Sequence, residues 1–521
     1  MKRNKIYLGA ATFLMLLIVS TSCTKDFEEI NTDNNRLSLA KAAPDMLLTN
    51  AIESMTNRVH EIGLGHEIGS CWVQHMAKVQ YTDEDRYIPR LTTINNTWSS
   101  FYASSGMDIN LIYQLGVEKK NNSYQGVALI MKSYIVSVLT DQFGDVPYSE
   151  AFMGSDKDAP VLSPKYDTQE SIYKALLANL EKANTLLQDG HQIGGDILFE
   201  GDLMRWRKFA NSLRLRLLLR QSDRVNPKDA MTEIFGNATK FPLIEDNSEN
   251  VALNFLASAP NNNPLNENRK TRDDHRVSNT IVDFLYTDAP SPDYRVVVYA
   301  EQAANSKDWV GLPNGMQSAD AGLYLGNGLA ETSKIGKYFT AATAPGMLMS
   351  YAELLFIKAE AIAKGYITGD VEATYHDAIR ASWDQFNANG EFKAALSPWK
   401  STFVGWGMSA TEDIYEYAWQ DFVDYGGTYD YVPSKGLEQI ATQKWAAMFD
   451  QGLQASFEWR RTGFPRLTPA VDGDNGGKIP VRLMYPSDEA TRNGANLSAA
   501  VKNMGGDTMN TRVWWDVAAN N

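Results

Sequence analysis

The chain has few of the residues that would staple it, draw it to nucleic acid or thread it through a bilayer. Only two cysteines occur in 521 residues. Cys23 directly follows an apolar leader, and once it is committed there Cys71 has no intrachain partner. The fold must therefore rest on its core and not on a disulfide framework. Cys71 itself reads as an inert, buried small residue. Acids outnumber bases, 63 to 49, for a formal net charge of −14. Such a surface repels phosphate backbones, which excludes a general nucleic-acid binder. The apolar stretch Ile6 to Val19 is 14 residues long. As a helix it would rise about 21 Å at ~1.5 Å per residue, short of a hydrocarbon core of ~30 Å. There is no Gly-x-Ser-x-Gly and no glycine-rich phosphate loop. His66-Glu67 lacks the second histidine of a zinc protease, and Cys71 with His75 is only half of a ligand set. No cofactor or metal is expected. Period-two alternation is scarce, with short strand candidates at 250–256 and 294–299.

What the first residues do contain is a secretory layout. Lys2, Arg3 and Lys5 precede the apolar stretch, and Ser20, Thr21 and Ser22 lead into Cys23. This reads as a lipoprotein signal over residues 1–22, with Cys23 lipidated and 23–42 forming a polar, lipid-anchored tether. Each buried acyl CH2 contributes about 0.8 kcal/mol, so more than one chain makes a stable anchor. From 43 to 521 one domain is expected, dominated by helical spacing. Helices are read at 61–79, 97–118, 168–188, 347–364, 371–386, 411–424, 436–450 and 487–500. Val127 to Leu139 is apolar nearly all round and belongs inside. The Ala-rich pair around Tyr351–Lys364 and Ala373–Ala378 has the small-residue packing of a tetratricopeptide hairpin. Between 241 and 345 the chain is rich in Asn, Pro and Gly and reads as a long, irregular excursion from the scaffold.

Several stretches in order resemble the SusD/RagB family, in its starch-binding, outer-membrane-associated branch. They include Cys23-Thr-Lys-Asp-Phe-Glu-Glu, Leu139-Thr-Asp-Gln-Phe-Gly-Asp-Val-Pro-Tyr148 and Trp206-Arg-Lys-Phe-Ala-Asn. Further on come Tyr351-Ala-Glu-Leu-Leu-Phe-Ile-Lys-Ala-Glu-Ala361, Trp459-Arg-Arg-Thr-Gly-Phe-Pro465 and Ile479-Pro-Val-Arg-Leu-Met-Tyr-Pro486. The resemblance implies a mostly α, tetratricopeptide-like scaffold with long loop excursions. It implies a lipid-anchored protein on the cell surface of a Bacteroidetes-type outer membrane, working with a SusC-like TonB-dependent transporter. The implied ligand is a glycan, or a peptide in RagB-like relatives. These motifs identify the scaffold and not the ligand.

Sugar binding needs flat aromatic faces and planar polar groups. Residues 80–90 form a polar loop between helices, so Tyr81, Arg86 and Tyr87 are candidate ligand residues, with Trp72 just upstream and Trp309 and Tyr324 in the excursion. Tyr425, Tyr429 and Tyr431 make a weaker aromatic loop, while Trp98 reads as core. Arg460 and Arg461 read as partners of buried carboxylates or carbonyls. Paired acids at Asp83/Asp85 or Asp273/Asp274 would be needed for the third alternative, a helical glycoside hydrolase.

Overall fold

A computed structural model describes residues 43–155, 159–286 and 290–517. The signal, Cys23 and the tether lie outside them. α1 (Pro44–His60) starts at its proline and runs into a π-helical segment, Ile62–Ser70. β1 (Met76–Lys78) follows, so the helix expected over 61–79 stops short. Its glycines explain the difference. Gly69 lies so close to Gly452 that an added Cβ would stand 2.8 Å from the amide of Leu453. The segment is shaped to let two backbones meet, not to continue as a regular helix.

α2 (Leu91–Ser99) passes through a π-helical turn into α3 (Ser105–Glu118). α4 (Asn122–Phe143) is capped by Asn121, whose side chain accepts from the amides of Ser123 and Tyr124, which answers two orphan donors of the first turn. It is buried almost all round, and Gly144 ends it at φ 88°, a left-handed conformation that glycine adopts freely. β2 (Val146–Pro147) pairs with β3 (Tyr166–Asp167). α5 (Gln169–Leu186) and α6 (Leu203–Arg220) are capped by Thr168 and Asp202.

The excursion holds β4 (Val251–Asn254) and β5 (His275–Val277), and β6 (Pro345–Met349) closes it. β4 bears out the first strand expectation. At 294–299 the chain instead forms a helical turn, Val296–Tyr299. Asp293 accepts from both the amide and the guanidinium of Arg295 at the start of that turn, and this local bonding overrides the strand preference of three valines. β5 pairs with β1, and β6 with β4. The first pairing ties the excursion to the front of the chain, and the second joins the excursion's own two ends.

α7 (Tyr351–Ala363) and α8 (Val371–Gln385) form the expected hairpin. α9 (Ile414–Tyr425), α10 (Gly436–Ala447), α11 (Gly452–Thr462) and α12 (Gly494–Met504) complete the set of longer helices. Consecutive helices α3 to α6 pack pairwise, and α7 packs on α8 and α10, giving a mostly α, tetratricopeptide-like architecture. Among the described residues no helix is long and apolar enough to cross a membrane.

A buried ionic network ties this scaffold together. Asp141 of α4 meets Arg220 of α6 at 2.8 Å, and Arg220 reaches Glu458 of α11 at 3.2 Å. Lys444 of α10 also meets Glu458, at 2.7 Å. Arg461 grips Glu360 of α7 with two 2.6 Å bonds, and Arg460 donates to the carbonyl of Asp141. Burial alone would raise the Glu360 carboxyl, but Arg461 overrides it and holds the group at about 2. The forked guanidinium suits such bidentate pairing.

Candidate functional site

The loop over 79–90 is held from below. Lys78 is buried and ion-paired to Glu67 and, at 3.3 Å, to Asp274. Burial opposes its charge, yet these carboxylates keep its pKa above the ordinary lysine value. Arg90 grips Glu67 and Glu84 from the far end of the loop. At the centre Asp85 is wholly buried. Its carboxylate accepts from the amides of Lys78 (3.1 Å) and Gly315 (2.9 Å) and from the Asn314 side chain (2.7 Å). Burial nevertheless pushes its pKa up to about 6, because those donors lower it only in part.

This bonding sorts the six sequence candidates. Trp72 and Tyr87 are each 2% exposed. The Trp72 indole donates to the Glu84 carbonyl and meets Tyr87 edge-on, and the Tyr87 hydroxyl accepts from the amide of Ala470. Both therefore support the loop from within and show no face to solvent. Tyr81 is 60% exposed, with the Arg272 guanidinium 4.9 Å from its ring centre. Arg86 is half-buried and donates to the carbonyl of Asp472. Tyr324 packs its ring against the small cluster of Ala77, Val79 and Leu312. The Thr82 amide donates to Ser318, which brings the loops of Tyr81 and Tyr324 to the same end of the molecule. Trp309 belongs elsewhere. It is stacked on Trp399 (5.8 Å, 22°) and lines a different cleft.

Sequence reasoning missed Arg272, Leu323 and Leu325. The leucines flank Tyr324 at 70% and 61% exposure, and the Gly- and Leu-rich run Gly-Leu-Tyr-Leu-Gly-Asn-Gly-Leu over 322–329 was the available signal. Gln74, Tyr81 and Tyr87 all have positive φ, at 60°, 51° and 70°. Non-glycine residues rarely hold that conformation, and when they do it is often at a binding surface. The platform therefore offers an exposed ring, a cation beside it, an apolar rim and a rigid base.

The other candidates are tied up structurally. Asp83 is exposed while Asp85 is buried, so the two do not face a common space. Asp273 pairs with Lys334 and Arg269, and Asp274 with Lys78 and His275. Tyr429 stacks on His376 and Tyr431 packs on Tyr375, while Tyr425 is exposed. Trp98 lies in an aromatic core with Phe143 and Tyr485. No group of three or more potential metal ligands gathers among the described residues.

Residues 34–486 match the sequence profile of the family described as starch-binding associating with outer membrane. Similar solved structures include a chitin-binding protein, 26% identical, with a TM-score of 0.75, covering 91% of this chain and 100% of that one. A chitin-binding SusD homologue from Flavobacterium johnsoniae is 22% identical, with a TM-score of 0.70 over 91% and 99% of the two chains. A SusD homologue from Bacteroides fragilis is 23% identical, with a TM-score of 0.70 over 91% and 99%. No curated protein matches.

Proposed function

The chain belongs to the SusD-like family, and on that premise we propose that it is a cell-surface lipoprotein that captures a glycan and delivers it to a SusC-like TonB-dependent transporter. Cys23 is the proposed lipid anchor in the outer membrane. The observation that carries the binding role is Tyr81, the one exposed ring on the braced loop, with Arg272 at its side and Tyr324 on the neighbouring segment. A pyranose presents an apolar face to such a ring and hydroxyls to the planar guanidinium. That relatives are described as binding starch or chitin supports a polysaccharide ligand. The role is binding without turnover, since the candidate acid pairs are either split between core and surface or neutralised by cations.

The test is calorimetry of the purified whole chain against starch and chitin oligosaccharides and against mixed oligopeptides. Binding of one glycan class that weakens with Tyr81→Ala, with no product released, is the expected result. A response to peptides alone moves the protein to the RagB-like role, and release of shortened sugars refutes the binding role in favour of a hydrolase.

A further inference from the structure

The β4–β6 ribbon has one face in the core and one in a cleft. Period-two alternation puts Val251 and Leu253 inside, while Ala252 and Asn254 point the other way, opposite Met347 and Pro345. That second face floors a cleft of about 1410 Å³, walled by the helical turn at 296–299, the Trp309 segment and the end of α8. It exceeds the ~300–1,000 Å³ that holds a drug-sized ligand, so a longer occupant fits.

Its chemistry narrows the class. Acidic and basic side chains line it in near balance, among them Glu301, Lys307 and Lys337, so it presents no field of one sign to select an ion. The apolar parts include the rings of Phe199, Trp309 and Tyr338, the aliphatic Ile197 and Met347, and small residues such as Ala388. Gln385, the last residue of α8, lines the cleft at 8% exposure, and its Oε1 has no hydrogen-bond partner. A buried acceptor left unpaired is destabilising, and turning the Gln385 amide toward the cleft would pair it with a ligand hydroxyl. The ribbon offers its side-chain face and not a strand edge, which disfavours a peptide added as a third strand.

We propose that this cleft is a second carbohydrate site, separate from the Tyr81 platform, that takes a neutral oligosaccharide of several rings with Gln385 as its inner hydroxyl acceptor. The proposal rests on the glycan reading above, and a single experiment separates the two. Maltoheptaose and chitohexaose are titrated into the whole chain, into Tyr81→Ala, into Gln385→Ala and into Ala388→Trp. The last variant places a large side chain at an exposed cleft position, and urea unfolding confirms that each variant is folded. For the sugar that binds, two sites per chain are expected. Ala388→Trp should remove one, Gln385→Ala should weaken that one at least tenfold, and Tyr81→Ala should weaken only the other, about tenfold. A single site weakened by Tyr81→Ala and unmoved by both cleft variants overturns the second site and leaves the platform standing. A single site lost with Ala388→Trp and unmoved by Tyr81→Ala supports the cleft and overturns the platform. No heat with either sugar overturns both.

Discussion

Glu360 and Asp85 are both carboxylates with almost no contact with water, and they are neutralised in opposite ways. Glu360 sits in the helical scaffold, gripped by a forked arginine that holds its pKa at about 2. Asp85 sits under the loop platform, bonded only by neutral donors, and its pKa is pushed up to about 6. The scaffold is joined by charge pairs that lock five helices. The platform has charge pairs of its own through Lys78 and Arg90 at its base, but its centre is joined by amide hydrogen bonds that fix a backbone shape. Breaking the first should cost the fold, whereas disturbing the second should cost the placement of a few exposed side chains.

Acid should produce the largest effect. Burial lowers His60 to about 4 and His75 to about 3. The unfolded chain therefore takes up protons first, and the stability these neutral rings contribute is present above about 6.5 and lost as pH falls toward 3. Glu360 adds a further loss between about 4.5 and 2. At roughly 1.4 kcal/mol per pKa unit the sum is on the order of 10 kcal/mol. Urea unfolding across pH 8 to 3 reads it, and a flat profile would break the comparison.

Next in size, Arg461→Ala leaves Glu360 and Glu458 short of their partner, and removing one member of a buried pair costs about 3–5 kcal/mol. The midpoint of global unfolding should drop accordingly. Asp85→Asn is smaller, about 1–3 kcal/mol, because one donor loses its acceptor. Its signature is a pH dependence. The protonated form of Asp85 contributes stability that is complete below about 3.8 and gone above about 6, so the gap between wild type and variant should narrow as pH rises through that window. A gap independent of pH would show that Asp85 does not titrate there. Smallest for stability is Tyr81→Ala, within about 0.5 kcal/mol for an exposed side chain. It should still weaken glycan binding about tenfold, which is roughly 1.4 kcal/mol.

The scaffold was legible because helices are written locally. The apolar run of Val127 to Leu139, the Ala-rich hairpin at 351–378 and the paired arginines at 460–461 each announce their role within a few residues, and the structure puts them there. The loop from 80 to 90 was legible as a loop, but its aromatics were not sortable. Tyr81 and Tyr87 sit six positions apart with the same residue type, yet one is 60% exposed and the other 2%. What separates them is Ala470, nearly four hundred residues away, whose amide binds the Tyr87 hydroxyl. Arg272 reaches Tyr81 from nearly two hundred residues away, and Gln385 lines one cleft with the β4–β6 ribbon from across the fold. The sequence by itself determined the family, the helical scaffold and the composition of the loops, because periodicity, caps and short motifs act between near neighbours. Tertiary structure alone decided which rings face water and which polar atoms line a cleft, because burial is set by segments that only folding brings together.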